Sequence, residues 1–239
     1  MLILYLSGLF PADTHTSEIL ETAQAVHKHI TEDVKDYTGL LVKRELVDGV
    51  DTGYQYIQFK YRENPRAIYL KFLKPPSIEN REVLYSGGDD LIVKHGGRRN
   101  SNLTLTIAVD SPAAIDGNRY TIKDMGLRAL SDRLMERLKT ELDIPDTEIT
   151  YYPDAKVDKR DVKFYRLKHH VRSEQGQCYI AEIAVDKEYN VPTYYRAFGY
   201  GTNDEPILLE EYSFRNIRIN VNLTDKDFDI NNAEYGFQK

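Results

Sequence analysis

The chain alternates hydrophobic and polar residues along short segments that are rich in tyrosine, phenylalanine and β-branched residues. Two clear examples are residues 54–61 (YQYIQFKY) and 66–73 (RAIYLKFL). A period of two with these residue types is typical of antiparallel strands, because successive side chains of a strand point to opposite faces of a sheet. The pattern predicts strands at 37–45, 53–62, 66–73, 81–85, 91–95, 103–109, 148–152, 162–171, 178–186, 191–200 and 207–219.

Two segments have a helical period instead. The first is predicted over residues 17–33, and its apolar residues recur at three- and four-residue spacing. The second, over residues 123–142, carries a stripe of leucines opposite a charged face. Both stripes are expected to cover one face of the sheet, which gives an α+β architecture. The stripes consist of Ile19, Leu20, Ala23, Val26, His27 and Ile30 in the first helix and of Leu127, Leu130, Leu134, Leu138 and Leu142 in the second.

Composition narrows the class of protein. With 41% hydrophobic and 29% charged residues, the 239-residue chain fits one globular domain, which we predict over residues 16–239. The formal net charge of −6 argues against a nucleic-acid partner, whose phosphates favour a basic surface. The sole cysteine precludes an intrachain disulfide. No apolar run reaches the length of about 18 residues that a membrane-spanning helix needs.

The first fifteen residues are set apart from this domain. Residues 2–10 (LILYLSGLF) resemble the apolar part of a secretory signal, but only Met1 precedes them, where a signal has a basic segment. We interpret residues 1–15 as a truncated or mis-started export signal. The alternatives are a buried N-terminal strand and a disordered hydrophobic segment.

One acidic segment has the spacing of a calcium loop. Residues 225–231 (DKDFDIN) place side-chain oxygens at every second position. A complete loop also needs glycine at its sixth position and glutamate at its twelfth, where this chain has Ile230 and Gly236. The alternative, which we favour, is a capped helical turn in which Thr224 pairs with Asp227.

Histidine and cysteine give no local site. The six histidines are scattered, and His169 and His170 are predicted to point to opposite faces of one strand. Cys178 lies at the start of a predicted strand without a neighbouring base, so we interpret it as a small, half-buried strand residue. No catalytic residue, metal ligand or cofactor is predicted, although a metal site assembled only in space stays open.

The aromatic strands offer a different role. Tyrosine suits a binding surface because it combines an apolar ring with a polar tip. For any one tyrosine the simpler explanation is that it favours half-buried strand faces. Over a whole curved sheet, an apolar cavity becomes a second explanation of the pattern.

Several segments resemble a bacterial family known as domain of unknown function 1571. They occur in the family's order and cover about residues 20–237. The matching segments are 36–45 (DYTGLLVKRE), 68–75 (IYLKFLKP), 81–85 (REVLY), 117–120 (GNRY), 209–212 (LEEY), 220–229 (NVNLTDKDFD) and 235–237 (YGF).

That family is similar to a branch of the outer-membrane lipoprotein carrier superfamily, with a LolA/LolB-like fold. The resemblance implies an incomplete antiparallel β-barrel around two main helices, which pack as a lid on its concave face over an apolar cavity. It also implies a periplasmic or cell-envelope location. The expected function is that of a non-enzymatic carrier or binding protein for a lipid, a lipoprotein or another hydrophobic ligand.

The expected partners are a hydrophobic ligand or an acylated protein, with transient contact to a membrane or membrane protein, and a monomer is expected. One alternative is a structural or interaction protein whose sheet core is filled by its own side chains. The other is an enzyme with a carboxylate pair or histidine assembled in space. If a ligand is bound, the candidate contact residues are Tyr56, Tyr69, Phe72, Leu130, Leu134, Tyr195 and Tyr212.

Overall fold

The computed structural model of this protein describes residues 4–6, 16–98, 103–144, 146–172 and 178–237. The chain folds into antiparallel strands and a few helices. Within these residues the helices are α1 (Thr16–Glu32), α2 (Pro112–Ile115) and α3 (Leu127–Glu141). The strands are β1 (Leu4–Leu6), β2 (Asp36–Val47), β3 (Val50–Asp51), β4 (Gln55–Arg62), β5 (Ala67–Lys74), β6 (Glu82–Tyr85), β7 (Asp90–Lys94), β8 (Thr104–Ala108), β9 (Thr147–Val157), β10 (Arg160–His169), β11 (Ile180–Asp186), β12 (Pro192–Tyr200) and β13 (Pro206–Ile219).

The chain divides into two compact units. Unit 1 comprises Met1–Asp33 and Gly126–Ser213, and unit 2 comprises Val34–Met125 and Phe214–Lys239. Strand β13 therefore supplies residues to both. The prediction of one domain over residues 16–239 stays a prediction. So does the export signal, because residues 1–15 lie outside the described residues apart from β1, which pairs with β9.

Hydrogen bonding joins the strands in the order β1-β9-β10-β11-β12-β13-β2-β4-β5-β6-β7-β8, with β3 beside β2. The paired strands run antiparallel, as β10 does with β11 and β4 with β5. The series has β1 at one end and β8 at the other, so the sheet of the described strands is not closed. The predicted α+β class with an unclosed antiparallel sheet is confirmed.

The two largest errors in the predicted boundaries concern the second helix and the strand at 148–152. The second helix begins at Leu127 and not at residue 123, because Ile122–Asp124 form a 3-10 turn and Gly126 breaks the chain with a φ of 103°. The strand predicted at 148–152 continues to Val157. Pro153 does not end it, since the register with β10 shifts there in a β-bulge, and a bulge leaves a residue without a ladder hydrogen bond.

Unit 1 has apolar side chains on both faces of its strands. On one face, Tyr165 and Leu167 of β10 pack against Ile19 of α1 and Leu138 of α3. On the other face, Phe164 belongs to a separate cluster with residues of β9, β11 and β12. The predicted stripes of both long helices therefore cover one face of the unit 1 strands, while α2 belongs to unit 2.

Unit 2 has its own core, and it contains a buried ion pair. Lys94 Nζ donates to Glu82 Oε1 at 2.9 Å, and the Tyr69 hydroxyl donates to Glu82 Oε2 at 2.8 Å. The backbone N–H of Gly236 donates to the same carboxylate. The Tyr69 ring stacks on Tyr235 with ring centres 3.8 Å apart. The C-terminal segment is thus held to this core by aromatic and polar contacts together.

The acidic segment of unit 2 forms the predicted capped turn. Residues Asp225–Phe228 make a 3-10 turn, and the backbone N–H of Thr224 donates to Asp227 Oδ2 at 2.9 Å. Asp225 pairs with Arg62, and Asp227 also accepts a hydrogen bond from Lys60. The carboxylates of Asp225 and Asp227 therefore bind protein groups, in the capped turn that we favoured over a calcium loop.

Two glycines with positive φ give a matched test of packing in unit 2. A Cβ on Gly96 (φ +67°) would lie 2.2 Å from the backbone nitrogen of Arg81, whereas one on Gly49 (φ +78°) would meet nothing within 4 Å. We expect Gly49→Ala to cost about 1 kcal/mol of unfolding free energy through backbone strain. Gly96→Ala should cost clearly more, because the backbone of residue 81 must also move. Urea unfolding of both variants measures the difference, and equal costs would contradict the predicted clash.

Candidate functional site

An apolar cavity of about 60 Å³ lies in unit 1 between α1, α3 and the strands β10, β11 and β12. Each wall follows from the periodicity of its element. Helix α1 contributes residues one turn apart on its apolar stripe, and α3 contributes the middle of its leucine stripe. The strands contribute alternate residues. The lining consists of Ile19, Thr22, Ala23, Val26, Ser131, Leu134, Met135, Arg137, Leu138, Glu141, Tyr165, Leu167, Ala181, Ile183, Val185 and Tyr195.

Polar atoms at the cavity wall are mostly engaged with one another. The hydroxyl groups of Thr22 and Tyr165 are 2.9 Å apart, which links α1 to β10. Arg137 Nη1 donates to the Tyr195 hydroxyl at 2.9 Å, which links α3 to β12. Burial raises the pKa of Tyr165, so its hydroxyl stays neutral. The tyrosine rings can therefore present apolar surface to the cavity while their hydroxyls keep hydrogen bonds.

The two long helices are also joined to each other. His27 Nδ1 of α1 lies 3.1 Å from the Ser131 hydroxyl of α3 and 3.5 Å from Asp132 Oδ1. Any outward movement of α1 from α3 would have to break these contacts.

The predicted contact residues are distributed over both units. Leu134 and Tyr195 line the cavity. Leu130 is buried on α3, the helix that also carries Leu134. The Tyr212 ring lies nearly parallel to that of Tyr195, with ring centres 6.4 Å apart.

The other three predicted contacts are in unit 2. Tyr69 belongs to the Glu82 core described above, Phe72 lies under the Arg81 guanidinium at 5.8 Å, and Tyr56 lies near Lys74. The role of all seven residues in binding stays a prediction.

Sequence reasoning assigned no binding role to α1. Its apolar stripe was recognised as a helix face, but Ile19, Ala23 and Val26 prove to form a cavity wall. Alternation along β11 could have nominated Ala181 and Ile183, yet nothing in the sequence says which of the two strand faces meets the helices.

Beside the cavity, three buried side chains of different chemistry converge. Glu141 is the last residue of α3, His169 is the last of β10, and Cys178 shortly precedes β11. The Cys178 thiol donates to Glu141 Oε1 at 3.2 Å, and His169 Nε2 lies 3.7 Å from Glu141 Oε2. The prediction of a half-buried Cys178 was wrong, because the end of α3 covers it and leaves 1% exposed. His170 points the other way, to exposed Glu148, as predicted.

The chemistry of this thiol does not suit a nucleophile. Burial raises the pKa of Cys178 well above its ordinary value, and the charge of Glu141 raises it further. An attacking thiol needs a lowered pKa, together with access to substrate.

None of the helices in the described ranges is both long and apolar enough to cross a lipid bilayer.

Comparison with known proteins supports the fold. A family described as a protein of unknown function, DUF1571, matches residues 34–237. No curated protein matches the sequence. The lipoprotein LppX of Mycobacterium tuberculosis is 10% identical with a TM-score of 0.51, over 89% of this chain and 99% of LppX. MucB is 10% identical to this chain with a TM-score of 0.53, over 89% of this chain and 62% of MucB. A structure of MucB in complex with MucA is known from Pseudomonas aeruginosa. The predicted family and fold are confirmed.

Proposed function

The chain belongs to the DUF1571 family, and we propose that it is a non-enzymatic cell-envelope protein that binds a hydrophobic molecule in the cavity of unit 1. The ligand class is a lipid or the acyl chain of a lipoprotein. The observation that carries the proposal is the apolar cavity between two amphipathic helices and the sheet. Such a site offers burial of hydrocarbon and few polar groups that a reaction could use.

The fold supports the proposed location. LppX, which shares the fold, is itself named a lipoprotein. A cell-envelope protein would meet acyl chains at the membrane surface. The proposal includes transient contact with a membrane or with a membrane protein that supplies the ligand.

The size of the cavity limits what it can hold without movement. At about 10–15 Å³ for each water-sized group, 60 Å³ has room for about four to six such groups. Burial of that many methylenes contributes about 3–5 kcal/mol before ordering costs. A longer acyl chain therefore requires α1 and α3 to separate. The contacts of Thr22 and His27 are the ones that this movement would break.

The same small volume favours a second candidate. A cavity of about 60 Å³ is also compatible with a core that the protein's own side chains nearly fill. The chain would then be a structural or interaction protein without a small ligand.

A chain-length series separates the two candidates. Full-length protein is titrated with fatty acids of increasing length, below their micelle concentrations, while displacement of a fluorescent fatty-acid probe is followed. We expect affinity to rise about fourfold for each added methylene until the cavity is full, and then to level off. Native mass spectrometry of protein from its host membrane fraction should show acyl species bound one to one. Absence of saturable binding at every length would refute the carrier proposal and leave the self-filled core.

A further inference from the structure

The structure places a sulfur, a nitrogen and an oxygen ligand together inside unit 1. One ligand atom from each of Glu141, His169 and Cys178 lies within 4.8 Å of the others, and their residues are 4%, 1% and 1% exposed. We propose that these three side chains bind a divalent cation of the zinc class. The proposal is independent of the hydrophobic ligand.

The spacing suits a small tetrahedral ion. Ligands bound at about 2.0–2.3 Å to such an ion lie about 3.3–3.7 Å from each other. In this cluster Cys178 Sγ is 3.2 Å from Glu141 Oε1, and His169 Nε2 is 3.7 Å from Glu141 Oε2. Glu141 presents a different oxygen to each neighbour, so a rotation of its carboxylate would bring one oxygen together with the other two ligand atoms at one ion.

The orientation of His169 is the second, independent observation. Thr147 Oγ1 lies 2.8 Å from Ile144 O, to which it donates its single hydrogen, and 2.8 Å from His169 Nδ1. The hydroxyl must therefore accept a hydrogen bond from Nδ1–H, which leaves the lone pair on Nε2. In the described part of the chain, this buried Nε2 has no hydrogen-bond partner. A histidine whose other nitrogen is fixed by a neighbour is the usual arrangement of a metal ligand.

Charge and ligand type indicate zinc over harder cations. A Cys178 thiolate and a Glu141 carboxylate together neutralise a divalent ion, and His169 contributes a neutral nitrogen. Binding forms a metal–sulfur bond and breaks the S–H bond, with the proton released to solvent. Magnesium and calcium favour all-oxygen sites, whereas mixed sulfur, nitrogen and oxygen ligands suit zinc. Three protein ligands leave the fourth position to water.

The ion would join the end of α3 to the paired strands β10 and β11. Glu141 ends α3, His169 ends β10, and Cys178 leads into β11. Glu141 also belongs to the cavity wall, so the ion would fix the end of a helix that the proposed ligand has to displace. We expect zinc to raise the unfolding temperature, because it binds only the folded arrangement.

The first test uses the full-length protein stripped of metal under reducing conditions. Zinc titration should give one equivalent per chain and an increase in unfolding temperature. Cobalt(II) in place of zinc should give thiolate-to-metal charge-transfer absorption, which only Cys178 can produce because it is the sole cysteine. Absence of that absorption in the folded wild-type protein would overturn the proposal without reference to any variant.

Variants then identify the ligands. Cys178→Ser and His169→Gln should each weaken zinc binding more than about 100-fold, and Thr147→Val, which removes the hydrogen bond that orients His169, about 10- to 100-fold. His170→Gln is the matched control, since that ring contacts exposed Glu148. Circular dichroism confirms folding of each variant. Zinc affinity that survives Cys178→Ser, or that falls equally in His170→Gln, would show that the metal binds elsewhere.

Discussion

Ala23→Phe is expected to weaken binding of the best fatty acid about 100-fold or more. Ala23 lies on α1 and lines the cavity, where an added phenyl ring would take up most of the 60 Å³ that the ligand needs. Loss of burial for about four to six methylenes removes about 3–5 kcal/mol of binding free energy. Displacement of the fluorescent probe at several fatty-acid lengths measures the effect, and the dependence of affinity on chain length should disappear.

The matched control is Ala25→Phe. Ala25 lies on the same helix two residues further on and is exposed, so the same side chain enters solvent there. Its affinity should equal that of the wild type. Overpacking by Ala23→Phe could itself cost about 1–3 kcal/mol of stability, which urea unfolding would reveal. Equal affinities in the two folded variants would show that the ligand does not occupy this cavity.

Lys94→Met is expected to remove about 3–5 kcal/mol of unfolding free energy. The substitution keeps the length of the side chain but leaves Glu82, which is 2% exposed, without its buried countercharge. The remaining donors, Tyr69 and the backbone of Gly236, are neutral and cannot replace it. Urea unfolding at neutral pH measures the loss, and Lys156→Met is the control because its pair with Asp161 is solvent-exposed. That exposed pair should contribute less than about 1 kcal/mol.

The stability lost in Lys94→Met is expected to depend on pH. Burial raises the pKa of Glu82, but the hydrogen bonds from Lys94, Gly236 and Tyr69 outweigh it and lower the pKa below its ordinary value. A lowered pKa in the folded state gives stability that is present above the unfolded pKa and is lost as the pH falls through the folded one. Without Lys94, burial dominates and a protonated Glu82 is tolerated. The stability difference between wild type and Lys94→Met should therefore shrink on acidification below about pH 4. A difference that stays constant with pH would contradict this assignment.

Much of the fold could be predicted from local pattern. The helix predicted over residues 17–33 is found at Thr16–Glu32, and the strand predicted at 207–219 is found at Pro206–Ile219. Both have strong periodicity and nearby breaking residues. The strand predicted to end at residue 152 continues through Pro153 instead, because a proline is accepted where a bulge frees its position from the ladder.

The candidate sites could be predicted only in part. The leucine stripe nominated Leu134, and tyrosine enrichment nominated Tyr195, but the same reasoning nominated Tyr69, which belongs to the core of unit 2. Tyrosines on strands are chemically alike in the sequence. What separates a cavity wall from a packed core is the element that covers each face, and periodicity carries no record of that.

The sequence by itself determined the elements, because periods of two and of 3.6 are properties of neighbouring residues. Only the tertiary structure decided which face of each strand meets the helices, since adjacent Tyr194 and Tyr195 point to opposite faces and only Tyr195 reaches the cavity. It also decided that Glu141 and Cys178, 37 positions apart, come within 3.2 Å. Such meetings depend on how strands pair and helices pack over long sequence distances, and no local pattern encodes them.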